Sequence, residues 1–189
     1  MSEYQIREIS TREFGELWVP HGKRIFEDES QIFSLRNALS EEELAKSNSL
    51  KSNLGEPIRI NLGIYRGDEF VGWSWGYQES NIRFYMCNSA ILPKHRRKGL
   101  YSKLLKEMMT RIEDLGFQEI FSRHTPTNNP IIIAKLKAGF VITSMEISDI
   151  FGTLIHLSYY PNQLRKKMLE YRVGEIKPDS EIKKLLGIE

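Results

Sequence analysis

Apolar residues in this chain follow two periods, and the change from one to the other divides it into elements. Ile58, Ile60, Leu62 and Ile64 alternate with polar residues or glycine, the period of a half-buried strand. Phe70 to Tyr77, carrying Val71, Trp73 and Trp75, repeats the pattern after the turn Arg66-Gly67-Asp68-Glu69, and so short a connection predicts an antiparallel hairpin. Ile82 to Leu92 reads as a third strand, with Pro57 and Pro93 outside the group, where neither removes a ladder hydrogen bond. The period then lengthens: Leu100, Leu104, Met108, Ile112 and Leu115 form one face of an amphipathic helix that Gly116 stops. Gln118 to Ser122 returns to strand, and strand, helix, strand of this length predicts parallel neighbours. Pro130 opens a further helix filled by Ile131, Ile132, Ala134, Leu136 and Ala138 and closed by Gly139. Phe140 to Ile147 and Thr153 to Tyr160 predict a closing hairpin around residues 149–152.

Before these elements, Tyr4 to Ile9 is a plausible strand. Two Ser-x-x-Glu patterns, Ser10/Glu13 and Ser40/Glu43, predict helix starts. The first helix is expected to be interrupted at Pro20 and Gly22, a second to cover Ile25 to Leu39, and a third to reach about Leu50. After Pro161 two more helices are expected, Asn162 to Tyr171 and Asp179 to Leu186. The expected fold class is α/β (α+β): a mixed, mainly antiparallel central sheet flanked by helices, with a helical N-terminal insertion. A single domain over 1–160 would carry a helical tail over 161–189.

Composition narrows the function. With 40% hydrophobic and 28% charged residues the chain reads as globular, and a net charge of +2 is too small to argue for a nucleic-acid partner. The single cysteine, Cys87, excludes an internal disulfide framework and a cysteine-rich zinc site, so no metal is expected. No apolar run is long enough for a membrane span, and MSEYQIREIS lacks a signal-peptide core. The expectation is a cytoplasmic protein with no membrane partner; a homodimer is compatible.

The chemistry concentrates between Asn88 and Leu115. A basic turn, Lys94-His95-Arg96-Arg97-Lys98-Gly99, precedes the long helix, and from Lys94 to Lys106 there are six Lys or Arg and no acid. A helix start leaves its first amides unpaired and carries partial positive charge, which makes it an anion site. Gly99 removes a Cβ where a ligand would approach. A nucleotide P-loop is rejected, because Gly-Lys-Ser/Thr is absent. Solvated surface and nucleic-acid phosphate binding are the rival readings of the turn; no aromatic interleaving accompanies the charge.

The turn Arg96-Arg97-Lys98-Gly99-Leu100-Tyr101 resembles the coenzyme A pyrophosphate loop of the GNAT N-acetyltransferase superfamily, whose pattern is Gln/Arg-x-x-Gly-x-Gly/Ala. Arg96 and Gly99 match, and Tyr101 stands where that family has a small residue. Ile91-Leu92-Pro93 before it, and Asn128-Asn129-Pro130 followed by Ala138-Gly139-Phe140 after it, sit at the family's spacing. The resemblance covers roughly Ile58 to Tyr160. It implies acetyl-CoA as co-substrate and a primary amine as acceptor. It also implies coenzyme contacts from Arg96, Arg97, Lys98, Gly99, Leu100, Tyr101, Ser102 and Asn128, and from the strand backbone at Ser89, Ala90 and Ile91.

Acyl transfer to an amine also needs an acid and a base. The family's helix tyrosine, four residues before Gly-Phe, is replaced here by Lys135, the candidate acid. The strand position that often carries a glutamate base falls near Tyr85, and Ile82 to Leu92 contains no carboxylate. His124, at the end of the strand after the long helix, is the titratable candidate base. His124 capping a loop, Tyr85 as a wall aromatic, Asn128 as a helix cap and Cys87 as a small strand hydrophobe are the structural alternatives. A coenzyme-binding module with weakened catalysis is the rival to the enzyme. The runs Glu27-Asp28-Glu29 and Glu41-Glu42-Glu43 read either as solvated helix faces or as a mouth attracting a cationic amine. Trp18, Phe26, Phe33, Trp73 and Trp75 read as core or as pocket wall.

Overall fold

The computed structural model describes residues 3–25 and 35–188. Seven strands form one sheet in the order β1-β2-β3-β4-β5-β7-β6: β1 Tyr4–Glu8, β2 Arg59–Arg66, β3 Glu69–Gln78, β4 Arg83–Ile91, β5 Glu119–His124, β6 Val141–Ser148 and β7 Gly152–Tyr159. Every pairing is antiparallel except that of β4 with β5, so the fold is the mixed, mainly antiparallel α/β sheet that the periods predict.

Helices cover both faces. On one, α4 (Leu100–Asp114) and α5 (Asn129–Lys137) pack over Ile60, Leu62, Ile64, Val71, Phe84 and Ile120. Leu104, Met108 and Ile112, three members of the predicted stripe, are completely buried, whereas Leu115, just past the helix end, is 52% exposed. On the other face, Phe14 of α1 (Thr11–Ile25) is buried with Tyr65 and Trp73.

The break expected at Pro20 does not occur: α1 runs unbroken to Ile25 with Pro20 inside it. The proline removes one backbone bond, but the helix on either side is held by packing. Trp18 meets Phe14 and Trp73 at ring distances of 5.8 and 5.5 Å. Gly22 is buried beneath the Trp18 ring, where a Cβ would stand 2.7 Å from its nearest carbon. Of the predicted helix Ile25–Leu39, α2 (Leu35–Ala38) is described, and Phe26, Glu27, Asp28, Glu29 and Phe33 lie outside the described residues. At α3 (Glu41–Lys51) the Ser40/Glu43 capping box forms in full, which accounts for Glu43. At α1 only half of it forms: Ser10 accepts from the Glu13 amide, and the Glu13 carboxylate turns to Arg7 and Tyr65.

The chain folds as two units, one ending at Tyr159 and one beginning at Tyr160. The second holds α6 (Gln163–Arg172) and α7 (Ser180–Leu186), joined by Lys167, which pairs with both Asp179 and Glu181. Among the described residues no helix is long and apolar enough to cross a membrane.

Candidate active site

The site begins where two strands stop pairing. β4 and β5 are in register only at Arg83–Tyr85 against Glu119–Phe121, although β4 continues to Ile91 and β5 to His124. Beyond Tyr85 the edge of β4 that faces β5 has no strand partner among the described residues. A bulge accompanies the parting: Trp75 opposes Asn88 and Gly76 opposes Met86, leaving Cys87 as an extra residue in β4. Bulges bend a strand and re-aim its side chains. Gly76 permits the close approach there, because a Cβ would lie 2.3 Å from the Tyr85 carbonyl oxygen.

A cavity of about 750 Å³ fills the opening. Its wall includes Tyr85, Ser89, Tyr101, His124, Asn128 and Lys135 from the sequence candidates, together with Trp18, Trp75, Tyr77, Met86, Cys87, Asn88, Arg123 and the β6–β7 loop residues Ile150 and Phe151. Trp18 and Trp75 are thus pocket wall, whereas Trp73, 1% exposed, is core. No Asp or Glu lies among the described wall residues. The other acidic run, Glu41-Glu42-Glu43, is the exposed first turn of α3 and lies outside this wall.

Of the candidates at the basic turn and helix start, Arg96 to Ser102, only Tyr101 is among the described wall residues, and it belongs to the first turn of α4. Gly99 is its N-cap at φ 73°, the left-handed conformation that favours glycine, and no side chain caps the helix. Its leading amides therefore have neither an intrahelical nor a side-chain acceptor among the described residues. Arg97, at φ 62°, also takes this conformation. Leu100 is core, while Ser102, Lys103 and Lys106 are exposed. Two of the six cations serve the turn itself: Arg96 Nε donates to the Ile91 carbonyl at 2.9 Å and Lys98 Nζ to the Tyr4 hydroxyl at 3.2 Å. The Ala90 and Ile91 side chains are buried, and the Ser89 hydroxyl bonds to Ser74 at 2.8 Å.

His95 is not part of the turn's surface. It is 4% exposed and pinned by Tyr4 at 3.1 Å on Nδ1 and by Glu69 at 3.2 Å on Nε2. This anchor ties the turn to β1 and to the β2–β3 corner. Sequence reasoning missed it because both partners are remote in the chain.

Lys135 is 2% exposed, yet among the described residues its Nζ finds only Met86 Sδ at 3.6 Å and the Phe140 ring at 4.5 Å. Burial pushes its pKa down to about 7. His124 bonds through Nε2 to Ser122 Oγ at 3.0 Å; burial, with the Lys135 charge adding, lowers its pKa to about 3, so it is a neutral imidazole at pH 7. Burial also raises the Tyr101 and Tyr85 phenols and takes the Cys87 thiol to about 12, leaving that thiol unionised. The Asn128 side chain makes no cap bond to α5 although Asn128 occupies the N-cap position, and it lines the cavity instead.

One wall residue, Arg123, belongs to a network that the alternation pattern does not reveal. It donates through Nε to the Tyr85 hydroxyl at 3.2 Å and through Nη1 to Glu146 at 3.3 Å, and Glu146 bonds to His156 at 2.6 Å. Hydrogen bonds from His156 and then Arg123 hold the Glu146 carboxyl below its usual range. Nothing in the sequence singled it out: β5 reads EIFSRH, with only Ile120 and Phe121 apolar, and Arg123 lies just past the strand predicted to end at Ser122.

The parted strands and uncapped basic helix start fit a coenzyme with an extended amide chain and a diphosphate: a free strand edge for one and unpaired amides for the other. No group of three or more potential metal ligands occurs among the described residues.

Several solved structures share the fold. An acetyltransferase from Salmonella typhimurium, yncA, determined with its cofactor acetyl-CoA, is 14% identical, with 95% of this chain and 99% of that one covered at a TM-score of 0.61. The GNAT-family acetyltransferase from Streptococcus pneumoniae is 20% identical, with coverage of 84% and 99% and a TM-score of 0.60. The ribosomal-protein-S18-alanine N-acetyltransferase from Escherichia coli is 17% identical, with coverage of 84% and 94% and a TM-score of 0.58. No curated protein matches the chain. The model of the acetyltransferase (GNAT) family matches residues 4–140, from β1 to the residue before β6, and the chain therefore belongs to the GNAT acetyltransferases, which use acetyl-CoA as co-substrate.

Proposed function

We propose that this protein acetylates a primary amine, with Lys135 as the proton donor to the departing thiolate. The observation that carries the reading is Lys135 itself, a buried amine with no counter-charge among the described residues, in the wall of the cleft where the sheet parts. A pKa of about 7 keeps a substantial ammonium fraction at neutral pH and makes that proton easy to give. The amides of Gly99, Leu100, Tyr101 and Ser102 hold diphosphate oxygens, with Arg96, Arg97 and Lys98 supplying charge. The backbone from Ser89 to Ile91 holds the pantetheine amides, and Asn128 contacts the coenzyme. Tyr85, fixed by Arg123, turns a phenol toward the acceptor. His124, with its pKa at about 3, is too weak a base for an ammonium and instead positions groups through hydrogen bonds. The acceptor accordingly enters as the free amine. The expected setting is the cytoplasm.

A second reading keeps the coenzyme site and loses turnover. Lysine in place of the family's tyrosine, and the lack of a carboxylate among the described wall residues, favour it. Free-thiol release from acetyl-CoA with a panel of primary amines separates the two. At saturating amine, turnover above the hydrolysis background that falls as pH rises through about 7 supports the transferase and its acid. Intact coenzyme binding without turnover on any amine supports the binding module.

A further inference from the structure

We propose that Lys135 is a self-acetylation site: when an acetyl thioester occupies the cleft and no acceptor amine is present, Nζ of Lys135 takes the acetyl group. The proposal rests on the acyl-transfer reading above and adds a second nucleophile to it. Lys135 lines the cavity, is 2% exposed, and meets no carboxylate, hydroxyl or carbonyl oxygen among the described residues. Its nearest hydrogen-bonding atom is the Met86 thioether 3.6 Å away, a weak acceptor, on the strand just beyond the last β4–β5 pair. A buried ammonium in such surroundings lacks a compensating charge, which favours the neutral amine.

The other cavity nucleophiles are poorer. The Cys87 thiol stays protonated, the Tyr85 and Tyr101 phenols are raised by burial, and His124 is tied to Ser122. The step balances without an oxidant or a further reactant. The Nζ lone pair attacks the thioester carbonyl carbon, the N–C bond forms and the C–S bond breaks. The bond's electron pair leaves on sulfur, and the proton lost by nitrogen goes to that thiolate. The products are an acetyl-lysine and a free thiol. Acetyl-lysine is uncharged and cannot donate the proton that turnover needs, so the modification switches the enzyme off. Acceptor amine, by drawing the acetyl group away, protects the enzyme from this fate.

The test incubates the full chain with acetyl-CoA and no acceptor at pH values below and above 7, followed by intact mass and peptide mapping. Coenzyme A binding is measured in parallel by calorimetry. The expected result is one acetyl group on Lys135, formed faster above pH 7 and suppressed by added amine substrate. It is absent from Lys135→Met, whose thermal melt shows it folded. Binding with no acetylation, or acetylation confined to surface lysines, overturns the proposal. Loss of coenzyme binding in the wild-type chain would instead overturn the acyl-transfer reading beneath it.

Discussion

Gly99→Glu is expected to weaken acetyl-CoA binding by about a hundredfold or more, roughly 3 kcal/mol, in calorimetric titration. A Cβ built at Gly99 meets no atom within 4 Å, so the folded protein has room for a side chain. What it lacks is tolerance for the backbone angle, and a non-glycine residue at φ 73° costs about 1–2 kcal/mol. The larger effect falls on the ligand. A carboxylate at the uncapped start of α4 competes with the diphosphate for the same amides and repels it. Gly99→Asn is the control, since asparagine accepts this conformation and carries no charge; it should lose far less. Equal affinity in wild type and Gly99→Glu would remove the diphosphate from this helix start.

Lys135→Met should lower turnover about a hundredfold or more while raising stability. Methionine has similar length and needs no counter-charge. In the wild type the Lys135 pKa is about 7 folded against 10.5 for the exposed side chain. Between these values the unfolded chain holds a proton that the folded protein does not, so stability climbs with pH. From pH 7 to about 9 the climb should be about 2 kcal/mol, at roughly 1.4 kcal/mol per unit once above the folded pKa. Above about 9 the unfolded Cys87 thiol begins to ionise while the folded one waits until about 12, which opposes the trend. Urea melts at three pH values read this directly. The methionine variant should show a flat profile in the same window. A wild-type profile that is itself flat would mean that Lys135 is not desolvated as described.

Much of the fold was legible because its periods were clean. The alternation from Ile58 to Ile64 marks β2, and the Leu104-Met108-Ile112 stripe marks the buried face of α4. Pro20 misled because local backbone chemistry argues for a break, while the packing that resists it comes from Trp73, far along the chain. In α5 the apolar residues that fill the helix do not all mark its buried face. Ile132 and Lys135 are buried, whereas Ile133 and Leu136 are 50% and 42% exposed. No periodicity argument places a lysine inward, so its burial was visible only once the helix lay against Met86 and Phe140. The uncapped helix start, the proposed diphosphate site, was readable from Gly99 and its basic neighbours. The Arg123-Tyr85-Glu146-His156 network was not, because it joins side chains 10 to 38 residues apart across four strands.

The decisive measurement is a crystal structure of the complex with coenzyme A. Diphosphate oxygens are expected within hydrogen-bond distance of the amides from Gly99 to Ser102, the pantetheine along the free edge of β4, and the thiol in the cleft beside Lys135. A coenzyme seated elsewhere, with the start of α4 facing solvent, would contradict this arrangement.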